Sequence, residues 1–337
     1  MKVSELGEFG LIDLLAKMVH RTQDKQVEAW KQLIIGIGDD AAVWHGDAST
    51  QLATTDLLIQ GVHFPSDITS WKGLGWRAMA ANLSDIAAMG GVPRYALISL
   101  ALPGDTEVED VTDFYQGMIE LAQQFDVAIV GGDTSGAPLV TISITVLGST
   151  KGQDKHILTR SAAKTGDKVA VTGYLGAAAA GVRMLKQQLQ FDPKATACFK
   201  QAFLRPYPRI AEGQLLVERG VKTAIDISDG LISDLKHICQ ASQVGARIEV
   251  ERVPIQSEVT ANFGDSALEL ALAGGEDYEL LFTADSKTID KIKTAISCPV
   301  TIIGEIVAGK IGEITLIDRE GKLFNLPKGG WEHFTAR

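Results

Sequence analysis

The chain has 337 residues, of which 45% are hydrophobic and 22% are charged, a composition typical of globular proteins. A single hydrophobic core seldom grows to this size, so we expect two domains. The net charge of -10 argues against a surface that binds nucleic-acid backbones or anionic lipid.

The cysteines and the apolar segments indicate the compartment. Cys198, Cys239 and Cys298 match no metal-binding or redox spacing, and scattered cysteines are typical of a reducing compartment. The first residues lack a basic region followed by an apolar one, and the longest apolar runs are too short to span a bilayer. We therefore expect a cytoplasmic protein with neither a membrane nor a nucleic acid as its partner.

Hydrophobic periodicity predicts helices and strands that alternate along the chain. The predicted helices include residues 9–19, 74–89, 108–124 and 231–240, with others after residue 173 and near residue 208. The predicted strands lie near residues 33–37, 52–56, 96–102, 127–130, 140–146, 169–173, 224–227, 278–283 and 301–306. The strict alternation over 140–146 is typical of a half-buried strand in an antiparallel or mixed sheet.

The polar segment 148–154 contains a glycine and is the predicted linker. We therefore predict two α/β or α+β domains, residues 1–150 and 151–337, with a shared cleft.

Acidic residues recur beside glycines where strands are predicted to end. Asp56 ends the strand 52–56, Asp133 follows Gly131-Gly132, and Asp85 comes from an alanine-rich helix. The others are Asp39 and Asp40 after Gly38, Asp226 and Asp229 in Ile225-Asp226-Ile227-Ser228-Asp229-Gly230, and Glu276 and Asp277 after Gly274-Gly275. Brought together in one cleft, these carboxylates would repel one another unless cations neutralised them. Hard oxygen ligands indicate Mg²⁺, and clustered Mg²⁺ indicates nucleotide phosphates.

Other phosphate-binding motifs fit poorly. Gly36-x-Gly38-x-x-Ala41 matches a loose dinucleotide fingerprint, but Asp39 and Asp40 would repel a pyrophosphate there. The chain has neither a P-loop sequence nor Asp-Phe-Gly, so neither a standard P-loop enzyme nor a protein kinase is indicated. Any phosphate chemistry would depend on metals more than on an amide cradle.

Several candidate residues also have purely structural interpretations. Asn82 and Asp85 share one helical face and could form a polar stripe as well as a ligand pair. Ser228 or Asp229 could simply cap the helix that follows. Taken alone, His63 and Trp331 would more often be packing residues than binding residues.

Taken together, the motifs resemble the thiamine-monophosphate kinases, within the superfamily that includes aminoimidazole ribonucleotide synthetase. They occur in family order and cover nearly the whole chain. The matching segments are Gly36-Ile37-Gly38-Asp39-Asp40-Ala41-Ala42, Thr54-Thr55-Asp56, Gly61-Val62-His63-Phe64, Asn82 to Gly90, Gly131-Gly132-Asp133-Thr134, Leu158-Thr159-Arg160-Ser161, Asp226 to Asp234, and Gly274-Gly275-Glu276-Asp277-Tyr278-Glu279-Leu280.

This resemblance implies transfer of the ATP γ-phosphoryl group to thiamine monophosphate, which gives thiamine diphosphate and ADP, with several Mg²⁺ ions bound. It also implies a two-domain fold: an N-terminal domain with a mixed sheet that binds metal and ATP and dimerises, and a C-terminal α/β domain that closes over the nucleotide. We therefore expect a homodimer.

The resemblance also implies a set of site residues. The implied metal ligands are Asp40, Thr54, Thr55, Asp56, Asp85, Asp133, Asp226 and Asp229. The implied nucleotide contacts are Gly132, Asp133, Arg160 and Ser228, with Tyr115 near the nucleotide, and the implied substrate contacts are His63, Glu276 and Trp331. The candidate catalytic residues are Asp56, Asp85, Asp133 and Asp229.

Four other classes of protein are alternatives to a thiamine-monophosphate kinase. A selenophosphate synthetase would carry a reactive cysteine near its N-terminus, whereas the first cysteine here is Cys198. A hydrogenase-maturation dehydratase would end in cysteine, and an aminoimidazole ribonucleotide synthetase would lack the 274–280 block paired with Trp331. A non-catalytic Mg²⁺-nucleotide sensor would have lost acids near the γ-phosphate, and here they are all present.

Overall fold

The computed structural model describes residues 1–24, 26–37, 41–65, 70–151 and 156–324. The chain folds into two compact units. The first comprises Met1–Ile86 and Val92–Lys155, and the second comprises Ala87–Gly91 and His156–Arg337. Among the described residues, no helix combines the length and apolarity needed to cross a membrane.

The first unit is built on a four-stranded mixed sheet. Its strands are β3 (Gln51–Ile59), β4 (Val92–Leu102), β5 (Ala128–Gly136) and β6 (Thr141–Ser149), and a separate pair is formed by β1 (Leu33–Ile35) and β2 (Val43–Trp44). The order in the sheet is β3-β6-β4-β5. Strand β6 is antiparallel to both of its neighbours, whereas β4 and β5 are parallel, which confirms the mixed sheet predicted from the alternation over residues 140–146.

Five of the helices that the structure describes belong to this unit. They are α1 (Val3–Leu6), α2 (Glu8–His20), α3 (Glu28–Gln32), α4 (Trp71–Ala88) and α5 (Val108–Gln124). Helix α5 buries Val111, Phe114, Met118 and Leu121, which recur at helical spacing. Helix α4 is rich in alanine and glycine and is buried along most of its length, because small side chains let it lie close to its neighbours.

The sheet alternates between a covered face and an open face. Along β3, Leu58 is buried, whereas Thr55 and Leu57 are exposed, as expected for side chains that point to opposite faces in turn. The register pairs Thr55 with Thr145 and Leu57 with Ser143. Along β3 and β6, the open face therefore carries Thr55, Leu57, Ser143 and Thr145, while Leu147 on the same side of β6 packs against the cluster of Ala29 and Tyr95.

Three boundaries differ from the sequence predictions. Asp56 lies inside β3, which continues to Ile59, and Asp133 lies inside β5, which continues to Gly136. The Gly131-Gly132 pair does not turn; Gly132 runs alongside β4, where a Cβ atom would lie 1.9 Å from the carbonyl oxygen of Ile98. The predicted linker 148–154 was also wrong at its start, because β6 continues to Ser149.

The second unit contains a six-stranded sheet in the order β12-β9-β11-β7-β10-β8. Its strands are β7 (Lys168–Thr172), β8 (Thr223–Asp226), β9 (Gly245–Glu249), β10 (Leu280–Ala284), β11 (Val300–Val307) and β12 (Ile314–Ile317). Its helices are α6 (Ala177–Gln187), α7 (Pro193–Leu204), α8 (Ile210–Glu218), α9 (Leu231–Ser242), α10 (Ser257–Phe263), α11 (Ser266–Ala273) and α12 (Ser286–Lys293), with a 3₁₀ turn at Val250–Arg252. Buried side chains such as Val171, Ile225, Leu235 and Leu281 form its core.

Candidate active site

Strand β3 and helix α4 join two pairs of polar groups in the first unit. The hydroxyl of Thr54 donates to the carboxylate of Asp85, and the backbone N–H of Asp56 donates to Asn82 Oδ1 at 3.1 Å. Residues two apart on the covered face of a strand thus meet residues three apart on one face of a helix. Asn82 and Asp85 therefore lie on one face of α4, as predicted, and this face is directed toward the sheet.

Asn82 is a fixed support for this arrangement. It is only 1% exposed, and its Nδ2 donates to the carbonyl oxygen of Ala78 at 3.0 Å. Since both ends of the amide are hydrogen-bonded, Asn82 holds the backbone of Asp56 at a set distance from α4.

The donor groups in this part of the first unit fit Mg²⁺. Asp56 and Asp85 are half-buried, and the hydroxyl of Thr54 lies against the carboxylate of Asp85. Two carboxylates and a hydroxyl are the hard oxygen ligands that Mg²⁺ prefers.

Thr55 and Asp133 lie elsewhere. Thr55 Oγ1 donates to the carbonyl oxygen of Ile144 at 3.1 Å and accepts from Thr145 at the same distance, so it faces away from Thr54 and Asp56. Asp133 is exposed and pairs in register with Ser99. The structure therefore brings together Thr54, Asp56 and Asp85 but not the side chain of Thr55, and it places Asp133 on the parallel strand β5.

His63 lies in the turn that follows β3. Its Nδ1 accepts the backbone N–H of Ile59 at 3.0 Å, so the proton of the neutral ring lies on Nε2. Its carbonyl oxygen accepts from Nη1 of Arg77 at 3.1 Å, and Arg77 is only 2% exposed. Arg77 was not predicted from the sequence, since an arginine within a buried alanine-rich helix shows no partner until the fold is known.

Tyr115 is part of the core of the first unit. It lies on α5, its ring meets that of Phe114 edge to face at 6.1 Å, and burial raises the pKa of its hydroxyl. Its placement near the nucleotide stays a prediction.

In the second unit, the carboxylate of Asp234 binds the backbone of the loop that leads into α9. Asp226 is the last residue of β8 and is only 3% exposed. Asp234 Oδ2 accepts the backbone N–H groups of Ser228, Asp229 and Gly230 at 3.1, 3.2 and 3.1 Å. The suggestion that Ser228 or Asp229 caps α9 was wrong: Gly230 is the N-cap residue and provides no side-chain cap, and the loop amides bind Asp234 instead.

Burial and neighbouring charges raise the proton affinity of Asp234. Burial first, and then the charges of Asp226 and Asp229, raise the pKa of Asp234 to about 8. Ligand atoms of Asp229, Asp234 and His237 all lie within 4.8 Å of one another. A cation would relieve this repulsion, so this cluster too fits a hard divalent ion.

The predicted substrate residue Glu276 lies beside this loop. Backbone N–H groups of Glu276 and Tyr278 donate to the carbonyl oxygens of Ser228 and Ile227, both at 2.9 Å. The Tyr278 hydroxyl donates to Glu276 Oε2 at 3.2 Å. Both residues have left-handed backbone angles, with φ of 71° and 50°, a conformation that fold constraints must maintain.

Asp277, the residue between Glu276 and Tyr278, has a structural contact. The carboxylate of Asp277 accepts the backbone N–H of Gly176, the N-cap residue of α6, at 3.0 and 3.1 Å.

Arg160 is exposed and follows Thr159, which forms a parallel β-bridge with Thr223 of β8. Arg160 therefore lies in the same unit as Asp226 and Asp229. The predicted residues Asp40 and Trp331 lie outside the described residues.

Comparison with known proteins identifies the family. The AIR synthase related protein N-terminal domain matches residues 38–150, and the corresponding C-terminal domain matches residues 164–317. A thiamine-monophosphate kinase of Buchnera aphidicola (subsp. Schizaphis graminum) is 37% identical over 334 residues, which cover 97% of this chain and 99% of the relative.

Two solved structures show the same fold. The thiamine-monophosphate kinase of Stenotrophomonas maltophilia K279a superposes with a TM-score of 0.80 at 34% identity, covering 90% of this chain and 95% of that one. A structure of AaThiL complexed with AMPPCP and TMP superposes with a TM-score of 0.76 at 34% identity, covering 99% of both chains. The predicted two-domain fold is thereby confirmed, and the chain belongs to the thiamine-monophosphate kinase family of AIR synthase related proteins.

Proposed function

We propose that this protein transfers the γ-phosphoryl group of ATP to thiamine monophosphate and so produces thiamine diphosphate and ADP. The observation that carries the proposal is likeness over the whole chain: curated thiamine-monophosphate kinases match nearly end to end at about 37% identity. AaThiL is complexed with AMPPCP, which is an ATP analogue, and with TMP, which is the acceptor proposed here.

The acidic residues of each unit support a role for Mg²⁺. In the first unit we assign Asp56 and Asp85, with the hydroxyl of Thr54, as ligands, and in the second unit Asp226 and Asp229. The family resemblance adds Asp40 and Asp133; it also implies Thr55, whose side chain faces away from Thr54 and Asp56. Bound Mg²⁺ would neutralise the phosphate oxygens of ATP, so that two anionic groups can approach.

The protein then has to orient the reactants. The acceptor is a phosphate oxygen that is already ionised at neutral pH, so no strong general base is needed. We propose direct in-line transfer with no phosphoenzyme. Arg160 offers a fork of donors for phosphate oxygens, alongside Gly132 and Ser228 as further nucleotide contacts.

Recognition of the acceptor would use opposite charge. The thiazolium ring of thiamine monophosphate is a cation, which the carboxylate of Glu276 and the indole of Trp331 would attract. His63 offers a hydrogen-bonding ring held by the backbone of Ile59. We assign these residues to the acceptor.

A phosphorus NMR experiment tests the reaction. The purified protein is mixed with Mg²⁺, ATP and thiamine monophosphate, and the phosphorus species are followed over time. Thiamine diphosphate and ADP in equal amounts are expected. ADP with free phosphate alone would show an ATPase with a different acceptor, and no change with ATP bound would favour a nucleotide sensor.

A rapid-quench experiment tests the mechanism separately. Protein mixed with labelled ATP is denatured within one turnover and examined for covalently bound phosphate. None is expected, and capture of a phosphorylated side chain would refute direct transfer.

We further propose that two copies associate through the open face of the first unit's sheet. Leu57 is 49% exposed there, among the threonine and serine side chains of β3 and β6. Leu57→Asp should convert a dimer to a monomer in analytical ultracentrifugation. A monomeric wild-type protein would refute the proposal.

A further inference from the structure

A buried ion pair supports the segment that carries Glu276. In the second unit, Arg209 donates from Nε to Glu279 Oε2 at 2.7 Å and from Nη2 to Oε1 of the same carboxylate. The two side chains are only 19% and 8% exposed. Such a two-bonded pair fixes both the place and the orientation of the carboxylate.

Glu279 also connects this ion pair to β7. Thr172 Oγ1 donates to Glu279 Oε2 at 2.6 Å, and it accepts the backbone N–H of Leu280 at 2.8 Å. Gly173 has a φ of 60°, and a Cβ atom there would lie 2.0 Å from Glu279 Oε1. The chain therefore has a glycine where the carboxylate needs the space.

Backbone hydrogen bonds carry this constraint toward Glu276. Ile227 N donates to the carbonyl oxygen of Glu279 at 2.8 Å, next to the bonds that tie Tyr278 and Glu276 to the same loop. Since Glu276 and Tyr278 both adopt left-handed backbone angles, their conformation persists only where the surrounding structure determines it. Asp277 binds the backbone N–H of Gly176 within this turn, and the Arg209–Glu279 pair anchors the chain at the residue directly after Tyr278.

We propose that Arg209 is a positioning residue for the phosphoryl acceptor. Through Glu279 it holds the turn from Glu276 to Tyr278 in the shape that binds thiamine monophosphate, without touching the substrate. This inference rests on the proposed function, in which Glu276 binds the acceptor.

Steady-state kinetics of Arg209→Ala test this role. We expect the KM for thiamine monophosphate to rise about tenfold or more, while the KM for ATP stays within about twofold. Arg209→Lys should recover only part of the loss, because lysine lacks the planar fork. Methylguanidinium added to the Ala variant should lower the raised KM.

A matched control separates this role from the loss of any arginine. Arg252 pairs with Glu249 at 2.7 Å on the surface of the same unit, and Arg252→Ala should leave both KM values unchanged. If Arg209→Ala does not fold, Glu279→Gln replaces it, because that variant keeps the size of the side chain and its contact with Thr172. The selective rise in the KM for thiamine monophosphate is then the criterion, without the guanidinium rescue.

The possible outcomes are distinct. A selective rise in the KM for thiamine monophosphate with guanidinium rescue supports the inference. Equal rises in both KM values, or a lower melting temperature with unchanged KM values, overturn it while the proposed function stands. If the wild-type protein forms no thiamine diphosphate, the proposed function fails, and the positioning role fails with it.

Discussion

The two units hold their acidic residues by different means. In the first unit, side chains of α4 hold β3: Asp85 accepts from Thr54, and Asn82 accepts from the backbone of Asp56. In the second unit, backbone amides hold the acidic residue, because the N–H groups of the loop from Ser228 to Gly230 all donate to the carboxylate of Asp234. The first arrangement depends on individual side chains, whereas the second depends on one carboxylate that shapes a whole loop.

Asp85→Asn should cause the largest loss among the variants that test this contrast. The amide keeps the size of the side chain and can still accept from Thr54, but it removes a charge that Mg²⁺ needs. We expect kcat to fall by about 10²-fold or more and the Mg²⁺ requirement to rise. Initial rates over a Mg²⁺ titration measure both. Wild-type values would exclude Asp85 from the metal ligands.

Asp234→Ala should cause the next largest loss. Without the carboxylate, the amides of the loop lose their acceptor, and we expect activity to fall by roughly 10–100-fold. The free energy of unfolding should fall by about 1–3 kcal/mol. Asp234→Asn keeps one carbonyl oxygen for these amides, so its losses should be smaller. Equal losses in both variants would show that the charge of Asp234 matters more than its hydrogen bonds.

Asn82→Ala should cost less, about tenfold in activity, because it removes a support and not a ligand. Asn262→Ala is a matched control, since Asn262 also donates to the carbonyl four residues earlier, at 2.8 Å, and lies on α10 of the second unit. Rates and urea unfolding of both variants measure the effect. If both lose activity alike, the bond from Asn82 to Asp56 contributes nothing specific.

Thr54→Val and Thr55→Val, the same change at neighbouring positions, should give the smallest effects. Thr54 contacts Asp85, so we expect a fall in kcat/KM of less than roughly tenfold. The Thr55 hydroxyl is bound within the sheet, so we expect a change of less than about threefold. Parallel assays of the two variants decide the order. A larger loss for Thr55→Val would restore the Thr55 side chain as a metal ligand.

Periodicity predicted much of the fold, because burial imposes it directly on the sequence. The helix predicted at residues 108–124 is α5, and the alternation over 140–146 belongs to β6. Helix α7 was missed although its signals are present: Asp192 caps its amides, and Pro193 is its first residue. Strand β12 was also missed, since its parallel pairing with β9 leaves no local mark.

The candidate site was predicted less completely. Asp56 was interpreted as the end of a strand, and Gly131-Gly132 before Asp133 as a turn, but pairing with neighbouring strands continues through both positions. The Arg209–Glu279 pair joins residues 70 positions apart, and no local pattern shows which buried charges will meet. Only the tertiary structure separates Asp277, which caps a helix, from its neighbour Glu276.

Consecutive residues of strand β3 have different roles, since one set contacts α4 and the other lines the open face of the sheet. Thr54 and Asp56 face α4, while Thr55 and Leu57 line the open face. Because neighbouring side chains point to opposite faces, a one-residue insertion or deletion in β3 would exchange the two sets at once. The length of this strand can therefore change only in steps of two residues without moving the acidic groups to the wrong face of the sheet.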